Sequence, residues 1–172
     1  ARRRPGSAAL RAAPVAPRWA AFGPLPYPRG VRAFYTSLAL CFALAGVDTV
    51  PLDPYGRSAG LTARDDAVDD GPHASGVTSQ GLLADAHAAA ARLHERSDDP
   101  VFTLGFCMFG GQSWRLAATD LNPAGSISFH GTPSTVAVVG GELAAPLLVL
   151  GAGATQRPAA RERFLRYAEN PW

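Results

Sequence analysis

Hydrophobic and polar positions along this chain switch repeatedly between a helical and an extended period. Over residues 31–45 apolar side chains recur at helical spacing, with Phe34, Leu38, Phe42 and Ala45 on one face and Gly46 as the stop, which predicts a helix. Residues 47–52 are short, β-branched and followed by Asp53-Pro54-Tyr55-Gly56, the pattern of a buried strand that ends at a loop. An alanine-rich helix is predicted over 79–96, closed by Asp98-Asp99-Pro100. Then follow a strand at 101–106, a helix at 110–118, a strand at 124–129 and an apolar strand at 145–150, with a last helix at 159–168. Residues 136–139 fit neither period cleanly. Strands and helices alternating in this way imply one α/β domain, a parallel sheet with helices on both faces. In such sheets sites lie beyond the C-terminal ends of the strands, where Asp53, Cys107 and His130 fall.

Two stretches break the alternation. Residues 12–28 contain Pro14, Pro17, Pro24, Pro26 and Pro28, which removes five backbone donors and argues against a central strand there. Residues 53–78 read as a long loop that holds several glycines and the acidic cluster Asp65, Asp66, Asp69 and Asp70. A connection of that length is usually functional or mobile.

Composition narrows the picture. At 172 residues and 47% apolar the chain can bury one sizeable core and is too short for two ordinary domains. All 16 basic residues are arginine, in a setting rich in Ala, Gly and Pro, as GC-rich coding sequence produces. A net charge of +2 is too small to imply a nucleic-acid partner. The acid-free opening, with Arg2-Arg3-Arg4, raises an organelle-targeting peptide, but the plainer expectation is a poorly ordered Arg/Pro-rich leader over 1–28. No apolar run is long enough to span a bilayer. The two cysteines, Cys41 and Cys107, lie in unlike contexts and read as free thiols in a reducing cytosol, so a cytoplasmic location is expected.

The chemistry concentrates at Gly105-Phe106-Cys107-Met108-Phe109-Gly110-Gly111, directly after the strand at 101–106. Small residues around a cysteine there predict a sharp strand-to-helix turn of the kind that lifts a nucleophile to the sheet edge. The usual pattern is Gly-x-nucleophile-x-Gly, and Phe109 stands where the second glycine belongs.

These residues, together with Arg29-Gly30, Phe34-Tyr35, Asp53-Pro54-Tyr55-Gly56-Arg57, Pro72-His73, Ser113-Trp114, Phe129-His130-Gly131 and the run from Ala145 to Leu150, resemble the dienelactone hydrolases, a branch of the α/β-hydrolase fold. The resemblance covers most of the chain beyond residue 28, so 29–172 reads as a partial dienelactone-hydrolase-like domain whose C-terminal part is missing. It implies hydrolysis of a small-molecule ester or lactone through a cysteine thiolate, with no cofactor or metal. By the same resemblance Cys107 is the nucleophile, the N–H of Met108 is one oxyanion donor, and Arg57 binds a substrate carboxylate, a role suited to a planar guanidinium.

The sequence also departs from the family. Thr155 stands where the family carries its acid, and no histidine follows His130, although the family's base comes later in the chain. In the oxyanion loop Tyr27 replaces an acidic residue and Pro28 has no N–H to give. His130 could reach the same crevice as Cys107 and serve as a substitute base. A second reading from another class therefore stands beside the hydrolase: a non-catalytic module that binds a small carboxylate through Arg57. The remaining candidates read as bystanders. His73 is a loop histidine, His87 and His94 are surface residues too far apart for a metal pair, and the aspartate cluster lacks the glycine and distal glutamate of a calcium loop. Ser113 lies too deep in its helix to be a nucleophile.

Overall fold

The computed structural model describes residues 33–60, 69–131 and 143–151, together with the backbone of Trp19–Leu25. Its elements are β1 (Trp19–Leu25), α1 (Ala33–Leu44), β2 (Val47–Val50), α2 (Gly56–Ala59), α3 (Asp70–Ser75), α4 (Ser79–His94), β3 (Val101–Phe106), α5 (Met108–Leu116), β4 (Gly125–Phe129) and β5 (Leu147–Leu150). The five strands form one parallel sheet in the order β2-β1-β3-β4-β5. Each connection between parallel neighbours needs a crossover, and helices supply the first three.

Alternation along β3 sorts the helices onto the two faces. Thr103 bonds to Ser113 of α5, whereas Phe106, three residues on and therefore on the opposite face, has its ring 6.0 Å from that of Tyr35 in α1. Val101 shares the face of Thr103 and clusters with Val50, Leu52, Phe109 and the α4 side chains Leu82, Ala86, Ala89 and Leu93. So α4 and α5 cover one face and α1 the other. Trp114 of α5, fully buried, packs with Leu147 and Val149. The intervening Leu148 and Leu150 turn to the α1 side of the sheet, where they are exposed.

Three expectations need correction. β1 is a central strand, although it contains Pro24. Its ladder to β2 stops at Phe22↔Val50, and the register with β3 shifts between Phe22 and Pro24, so the missing donor falls at a bulge where one side no longer needs it. Pro14, Pro17, Pro26 and Pro28 lie outside the strand. α1 turns Tyr35 and Ala39 into the core and leaves Phe34 exposed. That helix is apolar nearly all round, so periodicity could not fix which face goes inward. The long loop contains α2 and α3, the latter capped by the Asp69 carboxylate, which accepts from the Gly71 N–H at 3.1 Å. The residues predicted at 136–139 and 159–168 lie outside the described residues, as do residues 1–18 of the leader.

Candidate active site

Cys107 sits between β3 and α5 with φ 52° and ψ −122°, a conformation that non-glycine residues adopt at a cost of ~1–3 kcal/mol. The turn is held from both sides. The Cys107 N–H donates to the Phe129 carbonyl at 2.9 Å, and the Gly110 N–H donates to the Cys107 carbonyl at 2.9 Å. The thiol takes no part in capping the helix.

Close approach explains the glycines around it. A Cβ on Gly105 would lie 2.0 Å from the Phe109 carbonyl oxygen, so α5 can fold back over β3 only if residue 105 has no side chain. A Cβ on Gly110 would meet the Ser128 hydroxyl at 2.5 Å, and one on Gly131 would meet it at 2.6 Å. The first turn of α5 thus rests against the end of β4 through Gly110, Gly131 and the buried Ser128. Below this contact a hydroxyl cluster joins the three elements. Thr103 Oγ1 is 2.9 Å from Ser113 Oγ and 2.5 Å from Ser126 Oγ, and Ser113 Oγ donates to the Ile127 carbonyl at 3.2 Å. Ser113 is fully buried in that cluster and turned away from the turn at Cys107.

The apparent defect at residue 109 disappears in three dimensions. Phe109 is fully buried in the core with Val50, Leu52 and Leu82, and its φ is not positive, so the backbone there does not require glycine. The turn forms with phenylalanine at that position because the side chain leaves the sheet edge and enters the core.

The structure brings Cys107, Met108 and His130 to one rim. Phe106 pairs with Phe129 across β3 and β4, and their rings stack at 4.8 Å, so the residues that follow, Cys107 and His130, emerge side by side. His130 has φ 43°, its N–H donates to the Leu150 carbonyl at 2.7 Å, and its side chain is exposed. Met108 opens α5, where helix geometry leaves the first N–H groups without intrahelical acceptors. Those groups and the helix dipole favour negative charge beside Cys107. Tyr27, Pro28 and Thr155 lie outside the described residues.

Arg57 is on the same edge of the sheet. Val50 and Thr103 both pair with Phe22, so the parallel strands β2 and β3 end on the same side of the sheet, and the Tyr55–Arg57 turn and Cys107 both lie beyond those ends. Asp53, buried, shapes this turn by accepting from the Tyr55 N–H at 3.1 Å. The Arg57 guanidinium makes a two-pronged ion pair with Asp85 of α4, Nη2 to Oδ1 at 2.6 Å and Nη1 to Oδ2. The hydrogen bond to Asp85 raises the Arg57 pKa above its ordinary value. Sequence reasoning missed Asp85; its signal was an acid in a helix whose neighbours are mostly alanine, one turn after Gly81.

The other predicted bystanders have structural partners. His73 Nδ1 is 2.9 Å from the Ser58 hydroxyl, which ties α3 to α2. His87 bonds to Asp120 at 3.1 Å, and His94 Nδ1 lies 3.3 Å from the Ser97 carbonyl. Among the described residues no helix is long and apolar enough to cross a membrane, and no three His, Cys, Asp or Glu side chains are grouped to hold a metal.

A parallel sheet flanked by helices, with a cysteine on a strained strand-to-helix turn at the C-terminal end of a central strand, has the architecture of an α/β-hydrolase fold. The solved structures agree. A Klebsiella pneumoniae protein assigned to the dienelactone hydrolases is similar with a TM-score of 0.74 and 19% identity, over 98% of this chain and 78% of that one. A Thermus thermophilus protein is similar with a TM-score of 0.68 and 18% identity, over 95% and 79%. No curated protein matches. The sequence profile of the dienelactone hydrolase family matches residues 12–163, and the chain belongs to that family.

Proposed function

We propose that this protein hydrolyses ester or lactone bonds of small molecules with Cys107 as nucleophile. The observation that carries the reading is the backbone of Cys107, held at φ 52° between Gly105 and Gly110 with its thiol unspent at the N-terminus of α5. Strain of this kind persists where the surrounding structure enforces it, and it concentrates at functional sites. In the proposed reaction the Cys107 proton passes to the His130 imidazole and the sulfur attacks the carbonyl carbon. The oxyanion is received by the Met108 N–H. Collapse breaks the acyl C–O bond, and the departing oxygen takes the proton from His130. Water, giving its proton to the same imidazole, then attacks the thioester, releases the carboxylic acid and restores the thiol.

The test is turnover of para-nitrophenyl acetate and of a simple aromatic lactone. Activity is expected to vanish in Cys107→Ala and to fall about 100-fold or more in His130→Ala, the usual scale for losing a general base. Parent-level rates in His130→Ala would remove that residue from the mechanism; parent-level rates in Cys107→Ala would remove the whole reading.

One observation favours the second reading, a non-catalytic module that holds a small carboxylate. No hydrogen bond joins the exposed His130 imidazole to Cys107, while the Arg57 guanidinium is already fixed in place. Saturable binding of a small carboxylate without any turnover would support it.

A further inference from the structure

We propose that the outer face of α1 is a docking surface for a second copy of this chain, with the two α1 helices packed antiparallel across a two-fold axis. The inference is independent of the chemistry at Cys107. It starts from an exposure that a lone protomer does not explain. α1 carries no charged residue in its 12 positions, and only Tyr35 and Ala39 are buried. On the opposite side of the helix Phe34 is 61% exposed, Leu40 55% and Leu44 90%. Ala33, Ser37 and Cys41 are exposed between them. A helix that is apolar all round is normally covered all round, and a contiguous apolar patch left in water marks an interaction site.

The spacing of that patch selects its occupant. Ala33, Ser37, Leu40 and Leu44 are four, three and four residues apart, the heptad spacing of a helix-pairing seam. The seam is complementary to itself when reversed. With the two-fold axis passing between Leu38 and Ala39, Leu44 of one protomer meets Ala33 of the second copy and Leu40 meets Ser37, each layer occurring twice. Every layer then sets a large side chain against a small one, the alternation that lets facing layers interdigitate. A parallel pair would instead put Leu40 on Leu40 and Leu44 on Leu44 while leaving Ala33 on Ala33 and Ser37 on Ser37, crowded in one half and hollow in the other. The antiparallel pair also opposes the two helix dipoles. Phe34 and Cys41, seven residues apart, run along the flank of the seam and extend the contact. Charge points the same way. A self-complementary contact needs no charged partner groups, whereas a lipid surface selects helices with basic residues on a polar face, and α1 has no basic residue. Three turns of helix bury on the order of 500 Å² on each side, about 1,000 Å² in all, which is the lower end of specific interfaces. The dimer is therefore expected to be reversible, with a dissociation constant in the micromolar range.

Sedimentation velocity of the full chain across the micromolar range tests the proposal. A monomer–dimer equilibrium is expected. Leu44→Glu, at a site too exposed to matter to the fold of one protomer, should weaken the dimer by about tenfold or more and leave urea unfolding unchanged. Leu148→Glu, at an exposed site on β5 away from the seam, should leave the equilibrium as it is. Orientation is read by charge rescue. Ser37→Glu and Leu40→Arg should each be monomeric alone, and an equimolar mixture should dimerise, because the two new charges share a layer only in the antiparallel pair. Leu44→Glu carries the decision should Leu40→Arg not fold. A parent that stays monomeric throughout overturns the proposal, as does a dimer that survives Leu44→Glu or a mixture no tighter than its components. Co-sedimentation of a monomeric parent with phosphatidylcholine–phosphatidylserine vesicles, lost in Leu44→Glu, would assign the face to a membrane and overturn it equally.

Discussion

At the scale of the residue, the backbone of Cys107 concentrates two opposing demands. Projecting a side chain above the sheet edge requires φ 52° and ψ −122°, and that conformation is the one an L residue least tolerates. The position of the Cys107 side chain is therefore maintained against local preference by Gly105, Gly110 and the two backbone hydrogen bonds of the turn. Removing the thiol in two ways separates chemistry from strain. Cys107→Ala keeps a Cβ in the strained backbone, whereas Cys107→Gly removes it. Both should be inactive, and the glycine variant should unfold at a free energy about 1 kcal/mol higher than the alanine variant. The gain is strain relief of ~1–3 kcal/mol less the extra chain entropy of glycine. Urea unfolding of the two variants checks this, and a glycine variant no more stable than the alanine one would mean that the turn carries no appreciable strain.

At the scale of the element, α5 is fixed by what lies at its two ends of contact: glycines against β4 above, and Phe109 in the core below. Restoring the family's glycine at 109 would leave the turn itself unchanged and empty a fully buried site beside Val50, Leu52 and Leu82. Phe109→Gly should cost about 4–5 kcal/mol, from cavity formation and the lower helix propensity of glycine, with no gain in turnover. A loss below about 1 kcal/mol in urea titration would show that the ring contributes little to the core. The same residue explains the limits of reading elements from sequence. β3 and α4 are legible because their patterns are strong and their ends are marked by proline and by a capping threonine; Thr78 accepts from the Gly81 N–H at 3.0 Å. Phe109 in a turn motif, Pro24 in a central strand and the inward face of α1 are not. Each depends on which direction a group faces in the assembled sheet, and period and propensity carry no information about that. Cys107 was legible because its chemistry is local, whereas the Arg57–Asp85 pair spans 28 positions and joins a loop to a helix.

At the scale of the whole molecule, the elements that bear the site are tied to global unfolding through a buried phenol. Tyr55, on the turn between β2 and α2, is fully buried, its hydroxyl has no hydrogen-bond partner among the described residues, and its ring lies 6.1 Å from that of His73. Burial, and then the negative charges of Asp70 and Asp53, push its pKa from 10.0 up to about 12. The folded state therefore holds this proton more tightly than the unfolded chain does. The stability that results is fully present below about pH 10 and is lost as pH rises from about 10 to 12, a fall on the order of 2–3 kcal/mol. Tyr55→Phe removes the titrating group without opening a cavity, and because the hydroxyl has no partner, stability at neutral pH should change by less than ~1 kcal/mol. Unfolding free energy measured from pH 8 to 12 should fall less steeply for the variant than for the parent, the gap widening above about pH 10. Parallel curves would mean that the phenol reaches solvent in the folded protein.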